Sequence, residues 1–175
     1  MNLEELRKDL ILKQKKGLPF IMTSVAIWFL ITIVASLNLP IKLTNLLALG
    51  CSALLLPISW VIGKKMGVDI FEKNNELGNL AFIFTMNQVL YLLIVMWVFA
   101  YAPEKMIMVY AMVFGAHLLP YSWVYKSRAY CIFAVVIPVV SLIVGTMLSA
   151  VAVAAVGTVV ELVFSLVLRH EVKGI

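Results

Sequence analysis

Apolar residues run along this chain in six stretches, near 19–38, 43–63, 79–100, 105–125, 129–148 and 150–169, separated by short segments where Lys, Arg, Pro, Asn and Asp collect. A bilayer hydrocarbon core of roughly 30 Å takes about 20 helical residues, so each run is long enough, or nearly so, to cross it once. The fifth and sixth runs are almost continuous, because between Ala129 and Leu168 Glu161 is the only charge. At 1.5 Å per residue that stretch is too long for one crossing, and Ser149 marks the expected turn. The pattern predicts an all-α integral membrane protein of six transmembrane helices, forming a single domain over 1–175 with hairpins at 19–65, 79–128 and 129–170.

Two span ends carry the same signature. LLPISWVIGKK from Leu55 and LLPYSWVYKSR from Leu118 repeat Leu, Pro, Ser, Trp and Val in register, with Pro57 and Pro120 63 positions apart. The register extends to Pro40 with Pro103 and to Lys42 with Lys105 in the outer loops, which predicts tandem hairpins of the same membrane orientation. LVFSLVLR, from Leu162 to Arg169, is a fainter third copy without the proline or tryptophan.

Before the first span, MNLEELRKDLILKQKKG predicts a short amphipathic helix over 1–17. Asn2 and Glu5 have capping-box spacing, Leu3, Leu6 and Leu10 share a face, and Lys8, Lys13, Lys15 and Lys16 supply positive charge. It suits a helix lying on an anionic leaflet, or a solvated helix that fixes orientation. The run that follows is too long for the core of a signal peptide and lacks a small-residue cleavage site, so it reads as a span.

Composition agrees. Hydrophobic residues make up 63% of the 175 and charged residues 13%, against roughly 25% charged in soluble domains. Of the 14 Lys and Arg residues, all except Lys42 and Lys105 fall on the N-terminal side of the membrane. Lys64, Lys65, Lys73, Lys126, Arg128, Arg169 and Lys173 are among them, and this bias predicts a multi-pass protein of the cell membrane with both termini cytoplasmic. Trp60, Tyr121, Trp123 and Tyr125 fall at the inner boundary and Trp97 and Tyr101 toward the outer one, where amphipathic rings settle. The net charge of +5 is spread between apolar runs rather than gathered in a patch, which sets nucleic acid aside. Cys51 and Cys131 form no CxxC pair, so neither a disulfide framework nor a zinc site is expected, and no cofactor is implied.

Pro57, Pro120 and Pro138 fall inside predicted helices, where each removes a backbone hydrogen bond and bends the helix. They read as hinges around a widened inner vestibule, or as inherited geometry shared by duplicated hairpins. Small residues recur every fourth position at Ser141, Gly145 and Ser149 and at Ala150, Ala154 and Thr158, which predicts close packing of spans five and six or, equally, of two copies of the chain.

Polar residues at membrane depth are the candidate chemistry, because they are costly there and normally face the protein interior. Glu161, His117, Asn87 and Gln88 each fall roughly 12–15 Å from the inner boundary at 1.5 Å per residue. With Tyr91 and Tyr121 one turn away, they are the candidate intramembrane polar site. One reading is a transport path in which Glu161 and His117 exchange or coordinate a proton or cation and Asn87 and Gln88 form a hydrogen-bonding wall, passing a small solute or ion. The other is a buried polar knot in a structural or partner-binding membrane protein. No HExxH, GxSxG or phosphate-cradling glycine loop is present, so an enzyme is not expected.

HLLPYSWVYKSRAY, from His117 to Tyr130, and the opening MNLEELRKDLILKQKKGLPF resemble an uncharacterised family of short bacterial membrane proteins known only as a domain of unknown function. The resemblance implies a bacterial cytoplasmic membrane and no particular activity.

Overall fold

A computed structural model describes residues 2–70 and 75–174. Lys73, and with it part of the loop between the second and third spans, lies outside the described residues. Among the described residues there is helix and no strand, and six helical segments are long and apolar enough to cross a membrane. The chain is a polytopic membrane protein.

The N-terminal helix α1 (Leu3–Gln14) starts as its spacing predicts. Glu5 N donates to Asn2 Oδ1 at 2.9 Å and Asn2 N to Glu5 Oε2 at 3.0 Å, so two otherwise orphaned donors are satisfied reciprocally. Part of its leucine face packs against the protein. Leu10 is buried and Leu6 packs beside it on the main core, while Leu3 and Leu12 stay exposed. The helix is tied down by Asn75, whose amide donates to Leu6 O at 2.8 Å and to Asp9 Oδ2 at 2.9 Å. The expected amphipathic helix is therefore present and is docked on the bundle through part of its apolar face, with Leu3 of that face left outward.

A tight turn over Lys15–Gly17 redirects the chain into α2 (Leu18–Ser36). Lys15, Lys16 and Gly17 are all left-handed, at φ 46°, 53° and 70°. That backbone is strained for the two lysines, and their fixed partners hold it. Lys15 Nζ donates to Met66 O, Lys16 Nζ pairs with Glu171 at 2.8 Å, and Tyr130 Oη donates to Lys16 O at 2.8 Å. At Gly17 a Cβ would lie 3.0 Å from Tyr130 Oη, so the position requires glycine for both φ and space.

The second span is built from α3 (Ile41–Cys51) and α4 (Leu55–Met66), joined by a 3-10 turn at Ser52–Leu54 just before Pro57. The third is the uninterrupted α5 (Glu76–Tyr101). The fourth is broken likewise. A 3-10 turn at Pro103–Lys105 leads into α6 (Met106–Ala116), which stops at His117, and α7 (Leu119–Val124) restarts with Pro120 in its first turn. The two interruptions meet in the 63-residue register at Leu54 and His117. Pro138, by contrast, lies inside α8 (Arg128–Met147), which stays α-helical throughout. Ser149 turns the chain by accepting from Ala152 N at 3.3 Å and so capping α9 (Ala150–Lys173).

Pairings fix how the spans run. Lys16 with Glu171, Ser24 with Glu161 and Trp28 with Gly157 descend one helix while ascending the other, so α2 and α9, the first and last spans, are antiparallel neighbours. Gly115 against Ile137 and Pro138, with Gly145 against Met108, makes α6 and α8 antiparallel. Asn45 Nδ2 donates to Pro103 O at 2.8 Å and Ser52 pairs with Tyr110 at the same sequence offset, so α3 and α6 run parallel.

α8 and α9 lie against each other as the small-residue spacing predicts, and two glycines on these spans also make room for further neighbours. Gly145 admits Met108 of α6 and Gly157 admits the Trp28 ring of α2, because in each case a Cβ would intrude on the neighbour, at 2.4 Å and 3.2 Å. Two apolar cores result. One, toward the chain ends, gathers Leu10, Leu18, Ile21, Tyr125, Phe133, Phe164 and Leu168. The other gathers Ile27, Trp28, Ile31, Ile107, Tyr110 and Ala154. Ser24 and Glu161 sit in sequence between the members of the two cores.

Candidate intramembrane polar site

Glu161 is buried, with 1% of its surface exposed. Helical spacing sets Ala154, Gly157, Phe164, Ser165 and Leu168 on the same buried stripe of α9, so the carboxyl is delivered to the seam with α2. There it meets Ser24 Oγ through Oε2, while Oε1 has no hydrogen-bond partner. Ser24 Oγ also lies 2.7 Å from Ile21 O. A serine has one proton and these two contacts need two. The arrangement is complete when Ser24 donates to Ile21 O and a protonated Glu161 donates to Ser24. Farther along the seam, two turns beyond Ser24 on α2 and one turn from Glu161 on α9, Thr32 and Thr158 hydroxyls meet at 3.2 Å, each also bonded to the carbonyl four residues back.

His117 does not reach this carboxyl. It occupies the break between α6 and α7, and its Nδ1 contacts Phe114 O, which fixes the proton on Nδ1 and leaves Nε2 as the acceptor. Its ring lies 5.3 Å from Phe114 and 6.0 Å from Tyr121. Tyr121 shares a hydrogen bond of 2.7 Å with Thr85 of α5, and its hydroxyl also lies 3.2 Å from Ala81 O. Around it, Tyr125 and Tyr130 complete a cluster with centroids 5.6–6.1 Å apart, and Tyr125 Oη donates to Gln14 Oε1 at 2.9 Å beneath α1.

Asn87 and Gln88 do not line a common pocket with Glu161. Asn87 is exposed on α5 and donates to Tyr91 Oη at 2.7 Å; Gln88 is partly buried on the same helix. The expected cluster of Glu161, His117, Asn87, Gln88, Tyr91 and Tyr121 is therefore separated into three places: a carboxyl on the α2–α9 seam, a histidine and tyrosine at the α6–α7 break, and an amide and tyrosine on peripheral α5. An equal count along each helix does not state which helices are neighbours, and α9 takes α2 as its partner while α5 packs on α6 and α7. Ser24, the actual partner, could have been found by the same rule, since it lies eight residues after Lys16 as Glu161 lies eight before Arg169. Trp28 carried no such signal.

Residues 3–171 match the model of a protein family described as "Family of unknown function (DUF7010)". The chain belongs to that family. No curated protein and no solved structure matches it. Among the described residues no group of three or more His, Cys, Asp or Glu side chains is placed to hold a metal ion.

Proposed function

We propose that this protein of the unknown-function family is a small proton-linked transporter or channel in a bacterial cell membrane, and that Glu161 is its proton-carrying group. The observation behind this reading is the unpaired Glu161 Oε1. A carboxyl kept only to lock two helices would have both oxygens satisfied, because a half-satisfied buried polar group is worse than an apolar one. A carboxyl that changes partners during a cycle has a reason to keep one oxygen free. Ser24 holds the proton-bearing side at rest, and parting of α2 from α9 exposes Glu161 to exchange.

In this account both termini are cytoplasmic, following the Lys and Arg bias, and the duplicated hairpins share one orientation. The paired breaks at Ser52–Leu54 and His117 support that repeat. His117, beside Tyr121 at the α6–α7 break, lies apart from the Glu161 seam and takes no part in this proton exchange.

Reconstituted vesicles with an internal pH dye and an imposed ion gradient test the reading. The wild type is expected to pass protons, and Glu161→Gln, which keeps the shape and the Ser24 contact but cannot carry the proton, abolishes that flux. Equal flux in the two sinks it. The competing reading, a structural knot, is favoured by the Thr32–Thr158 contact on the same seam. It predicts that Glu161→Gln changes thermal stability and leaves flux untouched.

A further inference from the structure

Asn87 is an anomaly of placement. It lies near the middle of α5, eleven residues from Glu76 and fourteen from Tyr101, so it falls close to the bilayer centre, and it is exposed. Its carboxamide has two N–H donors and two acceptor sites, and among the described residues it has one partner, Tyr91 Oη. Lipid offers nothing for the rest, and an unsatisfied amide in hydrocarbon is strongly disfavoured.

The residues around it form a seam. Ile83, Asn87, Leu90, Ile94, Trp97 and Tyr101 alternate in steps of four and three, the seven-residue spacing that keeps one stripe of a helix facing a partner helix. All are exposed, the five apolar and aromatic ones by 51–75%. Leu77, Ala81 and Val95, on the other side of α5, are already buried against this chain, and Val98, eleven residues beyond Asn87, is buried at the border between the two sides. A single asparagine within an otherwise apolar seam is the pattern that fixes register between helices.

We infer that the chain forms a homodimer through this stripe of α5, with the two Asn87 carboxamides hydrogen-bonded to each other across a twofold axis along the membrane normal. The occupant is a second copy because a carboxamide is its own complement. Each offers N–H to the other's Oδ1, which is the reciprocal contact that an isologous interface requires. Two copies inserted in the same orientation bring α5 alongside α5 in parallel, so equal residue numbers face each other along the seam.

That last feature makes the test specific. In the full chain with Cys51 and Cys131 replaced by alanine, single cysteines at Ile83, Leu90 or Ile94 should each form a disulfide-linked dimer in reconstituted membranes. Cysteines at Phe82, Val89 or Met96, exposed on other sides of the same helix, should not. Asn87→Leu is expected to weaken dimerisation about three- to thirty-fold, the range for interhelical side-chain hydrogen bonds in membranes, with unchanged helical content by circular dichroism. Asn87→Gln should retain most of it. The inference is overturned by a monomer in the bilayer, by equal cross-linking at the control positions, or by an Asn87→Leu dimer as strong as the wild type.

Discussion

The α2–α9 seam and helix α5 both carry polar residues at membrane depth, yet they use them in opposite ways. In the most apolar 18 residues of α9, 39% are buried, against 11% for the corresponding stretch of α5. On the seam, Ser24, Thr32, Thr158 and Glu161 find partners across the two helices, and Glu161 alone retains an unpaired oxygen. On α5, Asn87 is exposed with one intrahelical contact. A polar residue at depth thus carries two distinct messages. Buried with a free valence, it points to chemistry inside the chain; exposed with a free valence, it points to another chain.

The contrast can be broken first by steric load. Gly115 lies where a Cβ would come within 2.5 Å of Pro138 and 2.7 Å of the Ile137 Cβ, neither of which can swing aside. Gly115→Leu is expected to destabilise the bundle by on the order of 3 kcal/mol through overpacking. Ala100→Leu, on an exposed position of α5, should stay within about 0.5 kcal/mol. Thermal melts in detergent compare them, and equal losses would mean that α5 is as tightly held as the interior.

A somewhat smaller effect is expected at the end of the seam. Glu171 accepts from Lys16 Nζ at 2.8 Å, Ser127 Oγ at 2.7 Å and Ala129 N at 3.0 Å, tying α9 to the turn before α2 and to the start of α8. Glu171→Ala should cost about 1.5–3 kcal/mol, because it leaves the buried Lys16 ammonium and two further donors without their acceptor. A melting curve unchanged by the substitution would detach this network from the stability of the seam.

The smallest change tests the clasp over the inner end. Asn2→Ala removes the capping box of α1 and is expected to cost about 1 kcal/mol, read as faster amide exchange over Leu3–Leu10. No change in exchange there would show that contacts to Asn75 and the core, rather than the cap, hold α1 in place.

Much of this architecture was legible in the residues. Six apolar runs bounded by Lys, Arg and Pro located the spans within a few positions, Asn2 and Glu5 announced the capping box, and Ser149 the last turn. Pro57 and Pro120 marked the broken helices, whereas Pro138 is absorbed within α8. What stayed hidden was lateral order. Depth follows from counting along one helix, but the pairing of the first span with the last depends on Gly157 making room for Trp28 and on Ser24 facing Glu161. Those are relations across 129 and 137 positions, and no local pattern records them. For the same reason an equal count along their helices did not bring His117 and Asn87 to the site of Glu161.

The central claim is that Glu161 holds an exchangeable proton on the α2–α9 seam. Infrared difference spectroscopy of the reconstituted protein across a pH jump reads it directly. The account predicts a carboxylic-acid carbonyl band that appears and disappears with pH and is missing in Glu161→Gln. A difference spectrum that contains no such band, or one that Glu161→Gln leaves unchanged, would contradict it.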